Sequence, residues 1–518
     1  MQPQVQPRLE ARSAPGVSDR TPEAWLAQFD ALRASLAEGG ASGQGGDGAL
    51  PRLAMWTHAD ALGLFGVPGI LRRCMEAETH PDGRDLAGWF TRLICVLRCP
   101  PGQRPAGLGP GWRTLPWLSR EMLPAGCALP RFQARDRALL LRARALPRAE
   151  RSPVIFGDLL QSMLGRGERR DQGVHYTSEA RIGRLTGPLF MDALRERLAV
   201  CRSMPPAQAR PALRALHARI LGLRFLDPAC GCGNILIVTL LALRGLEDDI
   251  LASLRGLGLS GDGLPGSRVG AAQLHGIELA KPAARIARAL MWITEATLDR
   301  RRDGRGPDEP ASPNPGGSVI VQGNALRMHW RRSFGGAEFD YILGNPPFVG
   351  KHLRNQAQKA DMALVFGRGA GALDLCAAWL RRAADQLPGT RTRVAFVLTS
   401  SLTQGEQVHL LWGPLLKRGG VHIHFAYRSF VWDAEGPGSA KVHCVIIGFG
   451  AESVSPTRLF EQRSGKDVER EQWPLSIHPY LLPGRARPVA ARGSAGADIP
   501  RAVYGSKPVD GGALLLSA

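Results

Sequence analysis

The hydrophobic pattern is most regular between residues 223 and 449, where short apolar runs of strand length alternate with patterns of helical period. The predicted strands cover Leu223–Leu226, Leu274–Ile277, Val319–Val321, Tyr341–Leu343, Val394–Leu398, Val421–Tyr427 and Val442–Phe449. The predicted helices between them cover Asn234–Leu246, Pro282–Leu298, Leu373–Gln386 and Glu406–Leu416. This alternation predicts an α/β fold with a doubly wound, Rossmann-like parallel sheet.

The residues on either side of this sheet are less regular. Residues 1–50 are expected to form a flexible segment, with one short helix opened by Thr21 and Pro22 and a Gly-rich joint at Gly39–Gly48. Residues 51–150 are predicted to form short helices broken by Pro/Gly loops. The strand pattern fades past Gly450. We therefore expect a main domain over residues 151–450 and, over residues 451–518, a linker with no more than one further strand.

The charge of the chain favours a polyanionic partner. Its 518 residues include 66 Lys and Arg against 46 Asp and Glu, a formal net charge of +20. Nucleic acid is the first candidate partner, and a basic composition without such a partner is the alternative. The nine cysteines show no CxxC pair, and the histidines show no ligand spacing, so we expect no metal. Because no secretory signal or membrane-spanning run is visible, a cytoplasmic protein without a membrane partner is expected.

A glycine-containing loop follows the first predicted strand and opens a helix. It runs Asp227-Pro-Ala-Cys-Gly-Cys-Gly-Asn234, and glycines at 231 and 233 let the backbone approach a ligand closely. Leu236 stands where a dinucleotide fingerprint has its third glycine. Glu278 ends the next strand, where an acid can bind both ribose hydroxyls of a nucleoside. A solvated strand end is the alternative interpretation of Glu278.

A polar amide, two prolines and an aromatic residue follow the strand that ends near Gly344. They form the sequence Asn345-Pro346-Pro347-Phe348. The prolines remove N–H donors and stiffen the loop. The Asn345 side-chain oxygen and nearby carbonyls can then accept hydrogen bonds from an exocyclic NH2 group, and Phe348 offers a face for a base out of its stack. The alternative is a Pro-rich turn with a core Phe.

The three motifs together resemble the amino-group DNA methyltransferases that use S-adenosylmethionine. The segment GVHYTSE lies upstream of them, where the gamma-ordered adenine enzymes carry an extra cofactor segment. More specifically, the chain resembles the MmeI-like DNA adenine methyltransferases over residues 100–518. The segments that carry this resemblance are IFGDLLQSML, GVHYTSEARI, FLDPACGCGNILI, ILGNPPFVGK, LTSSLTQGEQVHLLW, FAYRSFVW and VHCVIIGF.

The resemblance assigns a role to each matching residue. The residues implied to bind S-adenosylmethionine are Tyr176, Thr177, Asp227, Ala229, Gly231, Gly233, Glu278 and Asn324. The residues implied to hold the target adenine are Asn345, Pro346, Pro347 and Phe348. Asn324 stands where related enzymes usually have an acid that touches the cofactor's adenine, and an amide can also donate and accept there. The implied reaction is methylation of the N6 amine of an adenine flipped out of double-stranded DNA.

Two departures from the family limit what the resemblance implies. Longer members carry an N-terminal nuclease that needs a Glu-x-Lys or Asp-x-Lys site, but the first lysine here is Lys281. We therefore expect no DNA cleavage by this chain alone. The final segment YGSKPVDGGALLL resembles the family segment before the target-recognition domain. We therefore expect a separate target-recognition polypeptide or a truncated product.

Other functions stay open at this stage. The expected role is in a restriction-modification or phage-defence system. A methyltransferase acting on a protein glutamine or on RNA is one alternative, because its target is again a planar NH2 group. A non-catalytic, cofactor-binding subunit of a defence complex is another. The intact Asn345 and Phe348 favour an active enzyme.

Overall fold

The part of the chain between Phe225 and Gln472 forms a nine-stranded sheet. The computed structural model describes residues 22–38, 44–113, 115–118, 129–143, 179–259, 268–303, 319–367, 370–417, 420–432, 442–462 and 469–485. The strands are β1 Phe225–Asp227, β2 Leu274–Glu278, β3 Val319–Gln322, β4 Tyr341–Gly344, β5 Arg393–Thr399, β6 His422–Trp432, β7 Val442–Gly450, β8 Arg458–Gln462, β9 Glu469–Gln472, β10 Ile477–His478 and β11 Leu482–Pro483.

Helices precede the sheet and connect its strands. In the N-terminal part they are α1 Pro22–Glu38, α2 Gln44–Ala61, α3 Ile70–Glu78, α4 Leu86–Leu97, α5 Pro110–Arg113 and α6 Ala134–Arg142. Those that follow are α7 Glu179–Thr186, α8 Asp192–Arg202, α9 Pro206–Gly222, α10 Asn234–Gly256, α11 Lys281–Asp303, α12 Trp330–Ser333, α13 Gln356–Phe366, α14 Ala377–Ala384 and α15 Gly405–Lys417. No helix among the described residues is both long enough and apolar enough to cross a membrane.

The strand order of the sheet is β3-β2-β1-β4-β5-β7-β6-β8-β9. Strands β1 to β5 are mutually parallel, whereas β7 runs antiparallel to both β5 and β6. Every residue of β1 and β4 is buried, and all of β5 except its first residue is buried. Burial on both faces explains the continuous apolar runs of these strands. The predicted doubly wound α/β fold is confirmed, with an added antiparallel part.

The hydrophobic core is continuous through the sheet and its helices. A turn of π-helix at Gly187–Met191 brings the Phe190 ring against two strands, with ring centroids 5.1 Å from Phe225 and 5.0 Å from Tyr341. The helical N-terminal part packs on α11, where the Phe65 and Trp292 ring centroids lie 6.4 Å apart. These contacts join the N-terminal helices to the sheet's own helix layer.

Three expectations about the flanking regions need correction. The helix predicted to begin near Pro22 is confirmed as α1, but it runs to Glu38 and buries Phe29, Leu32 and Leu36 in the core, so the flexible segment expected over residues 1–50 is wrong for Pro22–Glu38. The Gly-rich joint is shorter than expected, since α2 begins at Gln44. The linker expected past residue 450 contains four strands, of which β8 pairs with β6 and β9 pairs with β8. The sheet therefore continues beyond the residue at which its hydrophobic pattern fades.

Candidate functional site

The predicted site lies where β2, β1 and β4 end, side by side. Asp227 is the last residue of β1, Glu278 the last of β2 and Gly344 the last of β4. Strand β1 pairs in parallel with both β2 and β4, so the three carboxyl ends meet at one edge of the sheet. The chain order reverses between β1 and β4. Such a switch point in a doubly wound sheet leaves a crevice in which ligands bind.

The loop between β1 and α10 is held in place by backbone hydrogen bonds, one within the loop and one to β2. The N–H of Cys230 donates to the Ile277 carbonyl over 3.1 Å, and the N–H of Gly233 donates to the Cys230 carbonyl over 2.7 Å. Gly231 and Gly233 have φ values of 54° and 87°, in the left-handed region that glycine tolerates best. A Cβ added at Gly231 would meet no atom within 4 Å. Gly231 therefore faces open space that a ligand can fill.

The Asp227 side chain is buried at the floor of this crevice. Its Oδ1 atom accepts a hydrogen bond from the Ala229 N–H over 3.0 Å. Its Oδ2 atom has no hydrogen-bond partner among the described residues, and neither has the buried Oδ1 atom of Asn234, the first residue of α10. Burial, with a smaller contribution from the nearby Glu278 charge, raises the pKa of Asp227 to about 8 against the lowering effect of the Ala229 N–H. Both buried acceptors suit a ligand that donates hydrogen bonds.

Gly344 makes room for the Asp227 carboxyl. A Cβ at this position would lie 2.8 Å from Asp227 Oδ1 and 3.5 Å from Phe396 Cε1. Any larger residue at the end of β4 would therefore push Asp227 out of position. The glycine before Asn345 thus links the loop of β1 to the loop of β4.

Glu278 links the β2 end to the glycine loop. Its Oε2 accepts the Gly231 N–H over 2.9 Å, and its Oε1 accepts the Ala280 N–H over 2.7 Å. Burial raises the pKa of Glu278, and the backbone N–H groups of Ala280, Gly231 and Leu279 lower it. A carboxylate can accept about four hydrogen bonds, so Glu278 keeps capacity for a ligand. The next residue, Leu279, is 65% exposed and offers an apolar surface beside this carboxyl.

The Asn345 loop packs against the end of the sheet. Pro346 and Phe348 are buried, and Asn345 is half-buried with its Oδ1 atom inaccessible to solvent. The carbonyl of Val349 accepts the Leu375 N–H over 2.9 Å, which fixes the end of the motif to the segment before α14. The Trp379 indole on α14 donates to the Pro228 carbonyl over 2.9 Å. Helix α14 therefore contacts the loop of β1 as well.

Asn324 lies just beyond β3 and is held on both sides of its amide. Its Nδ2 donates to Asp361 Oδ2 over 2.8 Å, and its Oδ1 accepts the Leu326 N–H over 2.9 Å. The Arg327 guanidinium donates to the other Asp361 oxygen over 2.6 Å. Asp361, on α13, was missed in the sequence. The contact joins residues 37 positions apart, and nothing in the local pattern around Asp361 indicates it.

Ten of the twelve predicted site residues lie at or just after the ends of four neighbouring strands, β3, β2, β1 and β4. These ten are Asp227, Ala229, Gly231, Gly233, Glu278, Asn324, Asn345, Pro346, Pro347 and Phe348. Tyr176 and Thr177 lie outside the described residues. Among those that are described, no group of three or more His, Cys, Asp or Glu residues is arranged to bind a metal ion.

Comparison with known proteins gives consistent similarities. The family model of the MmeI DNA-methyltransferase domain matches residues 204–461. DNA methyltransferase A of Bacillus subtilis (strain 168) is 32% identical over 452 residues, 86% of this chain and 49% of the relative. A solved structure of the Type IIL restriction-modification enzyme MmeI in complex with DNA is 34% identical, with a TM-score of 0.79, and the match covers 90% of this chain and 62% of that one. The chain thus spans about half the length of its curated relative.

Proposed function

Because the chain belongs to the MmeI-like DNA methyltransferases, we propose that it transfers a methyl group from S-adenosylmethionine to the N6 amine of adenine in DNA. The observation that supports this proposal is the placement of the Asn345 loop at the end of β4, beside the strand that ends in Asp227. A planar-amine site and a nucleoside site then share one crevice. The associated biological role would be in restriction-modification.

The residues of the crevice fit S-adenosylmethionine. The buried acceptors Asp227 Oδ2 and Asn234 Oδ1, which have no partner among the described residues, suit the ammonium group at its methionine end. The Glu278 carboxyl, which keeps capacity to accept further hydrogen bonds, suits the ribose hydroxyls. Leu279 and Asn324 would contact the adenine, and Tyr176 and Thr177 would hold the methionine end. When bound, this cofactor supplies a methyl group made electrophilic by its sulfonium.

The loop of β4 would hold the target adenine. The Asn345 side-chain oxygen and the Pro346 carbonyl would accept the two hydrogens of the N6 amine and so increase the electron density on its nitrogen. The prolines at 346 and 347 present no competing N–H donor. Phe348 would stack on the flipped base. Catalysis by this set is positioning plus electrostatics, which together can supply most of a rate enhancement.

Duplex DNA is the proposed macromolecular substrate. The net charge of +20 provides phosphate contacts, which do not depend on sequence. The similar MmeI structure is a complex with DNA. Recognition of a DNA sequence by a separate polypeptide stays a prediction.

The proposed reaction is tested with cofactor labelled in its methyl group and a duplex rich in random sequence. After digestion to nucleosides, mass spectrometry should place the label on N6-methyladenine. Label on cytosine N4, or in RNA or protein supplied in the same mixture but not in DNA, would contradict the assignment. If transfer requires a recognition subunit, a total-protein extract of the native host supplies it.

Asn345→Ala should abolish transfer and leave cofactor affinity within about twofold, because its amide is assigned to the amine and not to the cofactor. Calorimetry with S-adenosylhomocysteine measures the affinity. Transfer by the variant at the rate of the unmodified chain would remove Asn345 from the catalytic set.

A further inference from the structure

The Asn324 amide is held by a buried carboxylate that no motif includes. Asp361 is only 6% exposed, and its two oxygens accept from Asn324 Nδ2 over 2.8 Å and from Arg327 Nε over 2.6 Å. On the other side of the amide, the Leu326 N–H donates to Asn324 Oδ1 over 2.9 Å. The whole group lies beside the ribose site, because the N–H of Gly323 donates to the Glu278 carbonyl over 2.9 Å.

These contacts permit only one orientation of the Asn324 amide. A carboxylate accepts hydrogen bonds and does not donate them, whereas a backbone N–H only donates. Rotation of the amide by 180° would set its oxygen against the Asp361 carboxylate and its NH2 group against the Leu326 N–H. Two hydrogen bonds would become two repulsive contacts. The identity of the two partners therefore fixes which end of the amide is oxygen.

An amide fixed in this way keeps unused hydrogen-bonding capacity. The Asn324 oxygen has a second lone pair and its nitrogen a second hydrogen, since each makes one hydrogen bond to the chain. Asparagine can pair with adenine through two hydrogen bonds, one accepted from the N6 amine and one donated to a ring nitrogen. Hypoxanthine presents the reverse pattern of donor and acceptor, because its C6 oxygen accepts a hydrogen bond and its N1–H donates one. A freely rotating amide would satisfy either base by turning over, and a fixed amide satisfies one.

We propose that Asp361 is a positioning residue that makes the cofactor site selective for adenine by preventing the Asn324 amide from turning over. The inference rests on the proposed function, since it requires that S-adenosylmethionine occupies the crevice. Asp361 acts through Asn324 and does not contact the cofactor itself. Arg327 supports the carboxylate from its far side, where half of its own side chain is in solvent.

The test compares the binding of S-adenosylhomocysteine with that of its deaminated analogue, S-inosylhomocysteine, by calorimetry. The full chain should prefer the adenine ligand by roughly 5- to 100-fold. Asp361→Asn keeps the shape of the side chain, but the Arg327 donor holds its oxygen and its NH2 group then faces the NH2 group of Asn324, so it no longer favours the original amide orientation. The preference should fall by about fivefold or more, the value of one lost hydrogen bond. Asp385→Asn, which removes a carboxylate paired with Arg381 on a helix surface, is the matched control and should keep the preference.

A double exchange guards against a variant that fails to fold. In Asn324→Asp combined with Asp361→Asn, the new carboxylate at position 324 accepts from Leu326, from the new amide and from the cofactor amine, so the preference for adenine should return. An unchanged preference in Asp361→Asn or in Asn324→Ala would overturn the inference, and so would a double exchange that stays indifferent to the base. If the unmodified chain binds neither ligand, the proposed cofactor itself is wrong, which separates that failure from failure of the positioning role.

Discussion

Replacement of Asp227 by asparagine tests whether this carboxyl gives up a proton when the methionine end of the cofactor binds. In the free chain, burial raises the pKa of Asp227 to about 8, so the group is mostly protonated at pH 7. A ligand ammonium beside its unpartnered Oδ2 atom would favour the ionised form. Binding should then release about 0.9 proton at pH 7, the fraction protonated in a group with this pKa.

The same linkage predicts how affinity changes with pH. The dissociation constant of S-adenosylhomocysteine should fall by at least about tenfold between pH 6 and pH 8, because Asp227 is almost fully protonated at pH 6 and only about half protonated at pH 8. The Asp227→Asn variant has no proton to release at this position, so its affinity should be weaker and nearly constant over this range. Glu278 is unchanged in both proteins, so the difference between them isolates Asp227.

Calorimetry in two buffers of different ionisation enthalpy measures the proton release directly. Asp385→Asn serves as the control, because it removes a carboxyl that follows the end of α14 and pairs with Arg381, and it should keep the pH profile of the unmodified chain. Equal and flat profiles in the unmodified chain and in Asp227→Asn would refute the reasoning. The ammonium group would then bind elsewhere, and the buried Oδ2 atom would have another role.

Two further predictions concern the framework of the site. Gly344→Ala places a Cβ 2.8 Å from Asp227 Oδ1 and should lower the free energy of unfolding by about 1–3 kcal/mol. Gly245→Ala, at an exposed helix position with no atom near its Cβ, should leave the free energy of unfolding equal or higher. A thermal melt in which both variants behave alike would contradict this prediction. Glu247 is fully buried and hydrogen-bonded to His217 over 2.9 Å. Glu247→Gln should therefore lower the free energy of unfolding, measured in urea at pH 7, by about 3–5 kcal/mol. The exposed control Glu338→Gln should lower it by less than about 0.5 kcal/mol. Burial opposes the ionised form of Glu247, but the hydrogen bond from His217 and the other donors lower its pKa below the ordinary 4.5. The difference in unfolding free energy between the unmodified chain and Glu247→Gln should therefore shrink as the pH falls below 4.5. A difference that stays constant with pH would contradict this role of Glu247.

The strands of the parallel part could be predicted because burial on both faces demands apolar residues at every position. Val394–Leu398 is such a run, and β5 extends one residue beyond it at each end, whereas Leu274–Ile277 includes His275 and Gly276 and is extended by one residue in β2. The helical pattern at Leu373–Gln386 is only partly helical in the structure, since α14 occupies Ala377–Ala384. Before it the chain forms turns, in which the N–H groups of Ala377 and Ala378 donate to the Asp374 and Leu375 carbonyls, and the pattern does not indicate this difference.

The end of the sheet could not be predicted in the same way. Strand β9 has the sequence Glu-Arg-Glu-Gln, with no apolar residue, and forms only because β8 offers an open row of backbone groups. Strand β8 buries only Leu459 and Phe460, and its charged Arg458 pairs with both Asp192 and Glu471 at 2.6 Å. Hydrophobic periodicity contains no information about such pairing, because it depends on a partner far away in the sequence.

The residues of the candidate site also differ in whether the local sequence pattern indicates them. The positions of Asp227, of the two glycines of its loop and of the Asn345 motif could be predicted because each lies within a few residues of a strand end, where the sequence pattern shows both the strand and the residues that follow it. The support around them could not. Asp361 occupies an unremarkable position of α13, and only the fold brings it to the amide of Asn324. A motif therefore specifies which groups face a ligand, whereas the orientation of those groups depends on partners that the tertiary structure selects. A substitution at Asp361 would leave every motif of this chain intact and still change which base the site accepts.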